Sequence, residues 1–105
     1  MAQVEAEVIG AGRNVLSVNW MPEAISDLAD IVDYIELDNP YAAARIHELL
    51  RVSAMTLGEM PYLGRKGRVA GTRERLAHPS YLIVYRINSQ SIDILNIIHT
   101  KRQYP

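Results

Sequence analysis

An α+β domain with the element order β-α-α-β-β-β, a helical hairpin packed on one face of a small antiparallel sheet, is the fold this sequence predicts. Three observations predict it. Apolar residues recur at steps of three or four across residues 22–37, and again across residues 40–57 after an Asp-Asn-Pro break, the pattern of two amphipathic helices. Two runs rich in β-branched and aromatic residues, 81–87 and 92–98, flank the turn-forming Asn88-Ser89-Gln90-Ser91 and read as a β-hairpin. At 105 residues the chain can build one hydrophobic core and not two.

Each element follows in order. Residues 1–14 mix Ala, Glu, Val and Gly without sustained periodicity, and Gly10-Ala11-Gly12 breaks any pattern. They are expected to form a loosely ordered leader before a single domain at 15–105. Val15, Leu16, Val18 and Trp20 make a first strand of about six residues, which Pro22 stops. In the first helix Ile25, Leu28, Val32 and Ile35 form the inner stripe, with Asp27, Asp30, Asp33 and Glu36 mostly opposite. Asn39 is a good N-cap and Pro40 a good first helical residue for the second. That helix turns Ala43, Ile46, Leu50, Ala54 and Leu57 inward, and Gly58 is expected to end it. So short a link folds the helices back on each other. Gly64, Gly67 and Gly71 mark residues 62–71 as a loop or loose edge, leading into a strand over 72–77. The sheet face away from the helices is then left for function.

Composition narrows the function. The chain has no cysteine, which excludes disulfides, thiolate metal sites and a cysteine nucleophile and fits a reducing cytosol. No apolar run reaches the length of a membrane span, so a soluble cytoplasmic protein is expected. The net charge of -1 hides a division. Residues 21–60 hold eight acids and two bases, and residues 61–105 hold two acids and eight bases. Such asymmetry suits one face to an anionic or acidic partner. A DNA-groove reader needs a helix rich in Arg, Lys, Asn or Gln, and the acidic first helix argues against one. The three histidines, His47, His78 and His99, stand 31 and 21 residues apart without acids at ligand spacing, so no metal or other cofactor is expected.

The strings Gly71-Thr72-Arg73-Glu74, His78-Pro79-Ser80-Tyr81-Leu82-Ile83-Val84-Tyr85-Arg86 and Ile97-Ile98-His99-Thr100-Lys101-Arg102-Gln103-Tyr104-Pro105, in this element order, resemble the ParE branch of the RelE/ParE superfamily of bacterial toxins. The resemblance is most specific over residues 68–105. It implies the growth-inhibiting half of a type II toxin–antitoxin pair, held in a hetero-oligomer by a cognate antitoxin whose flexible segment wraps it. ParE-like members poison DNA gyrase without acting as enzymes, whereas RelE-like members enter the ribosome and cleave mRNA without a metal. The fold hosts both activities.

Metal-independent RNA cleavage needs a base, a cation for the phosphorane and an acid for the leaving oxygen. His78 or Glu74 is a candidate base. Arg73, Arg75 and Arg86 are candidate phosphate ligands, and His99 or Tyr104 a candidate acid. By resemblance the RelE-like catalytic set is Arg73, Arg86, His99 and Tyr104. Against this stands the absence of net positive charge, on which binding to ribosomal RNA draws. The expected reading is gyrase poisoning, with Arg73, Arg75, His78, Arg86, His99, Lys101, Arg102 and Tyr104 meeting the target. Ile25, Leu28, Arg65, Arg68 and Arg73 are expected to meet the antitoxin. Residues 101–104 are expected to lie at an untethered end. Ribosome-dependent cleavage is the alternative, and a non-toxic protein-binding adaptor a second. His47 and His78 also have plain readings, as a helix-boundary residue and as a turn residue bonded to nearby backbone.

Overall fold

Pro22 stops one element and starts the next. The computed structural model describes residues 15–104, and the expected leader lies outside the described residues. Strand β1 spans Ser17–Trp20. Helix α1, Pro22–Glu36, begins at once, because proline cannot donate to a ladder but fits the first helical turn. Asn39 caps helix α2, Pro40–Glu59, its Oδ1 accepting from the Ala42 N–H at 3.1 Å. A single 3₁₀ turn at Pro61–Leu63 leads to β2, Arg65–Lys66, and then to β3, Arg73–His78, β4, Tyr81–Ile87, and β5, Ser91–His99. Among the described residues no helix is long and apolar enough to cross a membrane.

The sheet has five strands in the order β1-β5-β4-β3-β2. The predicted meander of β3, β4 and β5 is antiparallel throughout, and β2 extends it by one short antiparallel strand. β1 differs from expectation in joining β5 in parallel, from Ser17 beside Ser91 to Trp20 beside Ile94. The sheet is therefore mixed. The helical hairpin accounts for this, since it carries the chain from the end of β1 out and back across one face before the meander begins.

Helix α2 buries Ala43, Leu50, Ala54 and Leu57, as its periodicity predicts. Helix α1 is rotated from the expected stripe. Ala24 is fully buried, while Ile25 keeps 56% of its surface exposed. A methyl side chain lets the first turn approach the sheet, and Leu28 and Ile31 continue that line against the core. Gly58 does not end α2. It sits inside the last turn, where a Cβ would collide with the Leu16 carbonyl oxygen, and its own carbonyl accepts from the Leu16 N–H at 2.8 Å. Glycine is there for close approach of strand and helix.

Two irregularities fix the sheet against the helices. Between the pairs Val84–Asn96 and Tyr85–Ile94 the register skips one residue of β5. Such a bulge reverses the parity of the strand, so Ile92 and Ile94 before it and Ile97 after it all enter the core under the helices. Beyond the bulge β1 has ended, and α1 takes over its role. The Asp27 carboxylate accepts from the Ile97 N–H at 3.0 Å and from Asn96 Nδ2 at 3.1 Å. Asp27, expected on the outer face, is thus a joint between α1 and β5. Asp27→Ala removes the acceptor from a half-buried backbone N–H and is predicted to cost about 1–3 kcal/mol, seen as a lower midpoint in urea unfolding with an unchanged slope.

Candidate functional site

Strand pairing decides which side chains share the sheet face away from the helices. Arg65, Glu74 and Val84 lie in one cross-strand row, and Leu76, Leu82 and Ile98 in the next. Leu82, Val84 and Ile98 are buried although the helices pack on the other side. What covers part of this face is the chain itself, through the Arg65 side chain, Arg68 of the β2–β3 turn and residues 100–104. The face expected to be free is covered in part, with Leu76 and Arg86 left exposed on it.

Glu74 organises this cover. It is the buried charged residue of the described chain, and its side chain is wholly removed from solvent. A buried carboxylate needs hydrogen bonds to both oxygens. Oε1 accepts from Arg65 Nη2 at 3.1 Å. Oε2 accepts from the backbone N–H of Arg68 at 3.0 Å, and Arg68 Nε lies 3.6 Å from it. Glycines let the loop descend onto the strand. A Cβ at Gly64 would stand 2.6 Å from the Glu74 carbonyl oxygen and 2.7 Å from the Tyr85 hydroxyl. Gly71 turns with φ +82°, in the region glycine occupies without strain. The Tyr85 hydroxyl, on a fully buried ring, donates to the Pro61 carbonyl at 2.6 Å and accepts from the Gly64 N–H at 3.0 Å. The segment read as a loose loop is pinned at both faces of the sheet.

Arg68 then reaches the end of the chain. Its Nη1 donates to the Tyr104 carbonyl at 3.0 Å, and its guanidinium carbon lies 5.1 Å from the Tyr104 ring centre, a cation–π arrangement. The final segment, expected to be untethered, is held. Tyr104, with His99, Arg102, Arg65 and Arg68, borders a hollow of about 150 Å³. The Tyr104 hydroxyl is buried without a hydrogen-bond partner among the described residues.

The remaining candidates are divided between the two faces. Arg73 and Arg75 pair with Tyr85 and Ile83, which places them on the helix side of the sheet, as their alternation with Glu74 predicts. Arg73 donates through Nε and Nη2 to the Gly64 carbonyl, at 3.1 and 2.5 Å, and lies 5.0 Å from the Tyr62 ring centre. Arg86 is exposed and stands opposite Asp93 on the outer face. His78 and His99 flank Tyr81, with ring centres 5.6 and 5.5 Å away. Each histidine accepts a backbone N–H on Nδ1, His78 from Ser80 at 3.0 Å and His99 from Lys101 at 3.1 Å. Each is thereby kept in the tautomer that carries its proton on Nε2. Arg75, Arg86, Lys66, Lys101 and Arg102 have no ion-pair partner among the described residues. On the outer surface of α2, the hydrogen-bonded Arg51 guanidinium draws the Glu48 carboxyl below its ordinary pKa, an exposed pair of little energetic weight.

The RelE-like set is therefore not gathered. Tyr104 borders the hollow on the outer face, whereas the His99 ring lies against its register partner Tyr81 on the helix side, and Arg73, on that same side but four residues along β4 beside Tyr85, is already engaged by Gly64. Glu74, a candidate base, is sealed with both oxygens occupied. Sequence reasoning missed the anchoring role of Glu74 and the neighbours Tyr62 and Lys66, which border a second cleft with Arg73. The paired glycines Gly64 and Gly71, one before β2 and one before β3, were the available signal.

A helical hairpin on a five-stranded mixed sheet, with a basic loop and tail covering part of its outer face, defines the class of small RelE/ParE-type toxins. The comparisons narrow it. Residues 18–104 match the family model described as the ParE toxin of the type II toxin–antitoxin system parDE, and the chain belongs to that family. It is 40% identical over 89 residues to Y4kP, a candidate toxin of Sinorhizobium fredii, covering 84% of this chain and 92% of the relative. It is 36% identical over 85 residues to toxin RelE2 of Caulobacter vibrioides, covering 81% and 96%. Among solved structures it superposes on a chain of the chromosomal ParDE toxin–antitoxin system of P. aeruginosa with a TM-score of 0.76 at 23% identity, covering 84% of this chain and 99% of that one.

Removing the buried carboxylate leaves two cations and the Arg68 N–H without their acceptor. The Arg65 and Arg68 side chains remain 68% and 47% exposed, so water compensates part of the loss. Glu74→Ala is predicted to cost about 1–3 kcal/mol, measured by urea unfolding, with proteolytic cleavage appearing first in residues 64–72.

Proposed function

We propose that this toxin acts by binding, as a poison of DNA gyrase, and that a cognate antitoxin neutralises it in the cytoplasm. The observation that carries the reading is the division of the candidate groups. Arg73 is held by the Gly64 carbonyl beside Tyr85, four residues along β4 from the Tyr81 that pairs with His99, while Tyr104 is held by Arg68 on the outer face, and a phosphorane needs its cation, base and acid around one phosphate. A binding surface has no such requirement. Lys101 and Arg102, without an ion-pair partner among the described residues and presented beside the outer face, supply contacts to an anionic, DNA-bearing target, with Arg86 further along that face. Poisoning then follows from tighter binding to one state of the target than to the others.

The antitoxin reading draws on two surfaces. Ile25, Tyr34, Leu37 and Tyr41 expose between 56% and 87% of their area along the hairpin, apolar surface that a partner segment can cover. Leu28 lies half-buried beside Ile25. The exposed sides of Arg65, Arg68 and Arg73 suit acidic residues of a wrapping segment. The ParDE system of P. aeruginosa, whose chain shares the fold, is a toxin–antitoxin pair, which supports a hetero-oligomer here.

Ribosome-dependent mRNA cleavage stays as the second reading, favoured by the hollow where His99, Arg102 and Tyr104 meet. The two are separated by adding purified toxin to a gyrase supercoiling assay and to in vitro translation. The expected outcome is loss of supercoiling with accumulation of cleaved DNA and unaffected translation, and a chain lacking residues 101–105 loses the effect while still binding antitoxin. Codon-phased mRNA cleavage with normal gyrase would overturn the proposal.

A further inference from the structure

We propose that Arg68 is a positioning residue for the final segment, with Glu74 fixing Arg68 and Arg68 fixing the place from which residues 101–104 act. Assigning that segment to the target rests on the reading above; the positioning itself does not. Residues 99–102 have their own anchors. Thr100 donates from N–H to the Ser80 carbonyl and from Oγ1 to the Pro79 carbonyl, both at 2.9 Å, and the Lys101 and Arg102 N–H groups return to His99. Among the described residues those bonds stop past Arg102. The hydrogen bond that holds Tyr104 comes from Arg68, 36 residues earlier in the chain, and the ring contact comes from the same guanidinium.

Arg68 can do this because its own main chain is not free. Its N–H is tied to a carboxylate with no access to water, and its Nε faces the same oxygen. The guanidinium thus works from a fixed base, with Nε turned inward and Nη1 outward to the tail. Truncating the side chain leaves the bond from the Arg68 backbone to Glu74 in place. The loop and the tail are therefore separable by mutation, which gives a test that a merely structural role fails.

The experiment compares wild type, Arg68→Ala, Arg68→Lys, Tyr104→Ala and the Arg68→Ala/Tyr104→Ala double variant in two measurements. Backbone NMR order parameters report the tail, and the inducer level needed to arrest growth reports potency whatever the target. In Arg68→Ala, order parameters of residues 103–104 are expected to fall below about 0.6 while those of residues 65–72 stay near 0.85. Potency is expected to fall about tenfold, the scale of one charge-assisted hydrogen bond, and Arg68→Lys to recover part of both. The double variant is expected to be no weaker than the weaker single one, because both changes release the same segment. An ordered tail in Arg68→Ala, a released tail with undiminished potency, or additive losses in the double variant would each overturn the proposal. A wild-type protein that arrests growth without affecting gyrase would instead overturn the target assignment and leave these comparisons decisive.

Discussion

A single carboxylate with no access to solvent sets the form of the outer face. Burying Glu74 is unfavourable unless both oxygens find donors, and the donors come from β2 and the turn that follows it. Arg65 and the Arg68 main chain supply them, so the β2–β3 turn is held against the outer face and is not a free loop. The rest follows from that placement. Gly64 must be small because the chain there passes so close to β3, and Arg68 arrives where its guanidinium meets Tyr104.

The two faces of the sheet divide the work. The helix side holds the main core, in which Tyr85, Ile83, Ile92 and Ile94 meet Leu50, Ala54 and Leu57. The outer side carries a thinner apolar layer of Leu82, Val84 and Ile98 under charged cover. A stability core and a charged working surface thus share one sheet only a side chain thick, and Asp27 on one side and Glu74 on the other join each to the chain that covers it. The acidic first helix lies on one side, while the bases of the second half are divided, Arg65 and Arg86 facing outward and Lys66, Arg73 and Arg75 on the helix side.

The local features were legible in the sequence, because periodicity reports local geometry. Both helices, the Asn39 cap and the β4–β5 hairpin follow from spacing and turn chemistry alone. The stripe of α1 was misjudged by one position, since Ala24 is small enough to pass for a bystander and Ile25 is apolar enough to pass for core. Long-range choices were less legible. The parallel pairing of β1 with β5 joins residues more than seventy apart, and the bulge in β5 is an extra residue in a run that alternates well without it. Glu74 was the most instructive miss: between Arg73 and Arg75 it resembles an ordinary solvated strand position, and only the folded loop reveals that it points into a closed space. Of the site, the residue types, the basic character and the split of Arg73 and Arg75 from Glu74 were readable from the two-residue period, while the burial of Glu74 and the hold of Arg68 on Tyr104 were not.

Hydrogen–deuterium exchange of the toxin, alone and mixed with gyrase and DNA, tests most directly whether the partly covered face is the working surface. Added protection over residues 64–72 and 98–104, with the helical hairpin unchanged, is the predicted result. Protection confined to residues 22–59, with the loop and tail exchanging as in the free protein, would contradict it.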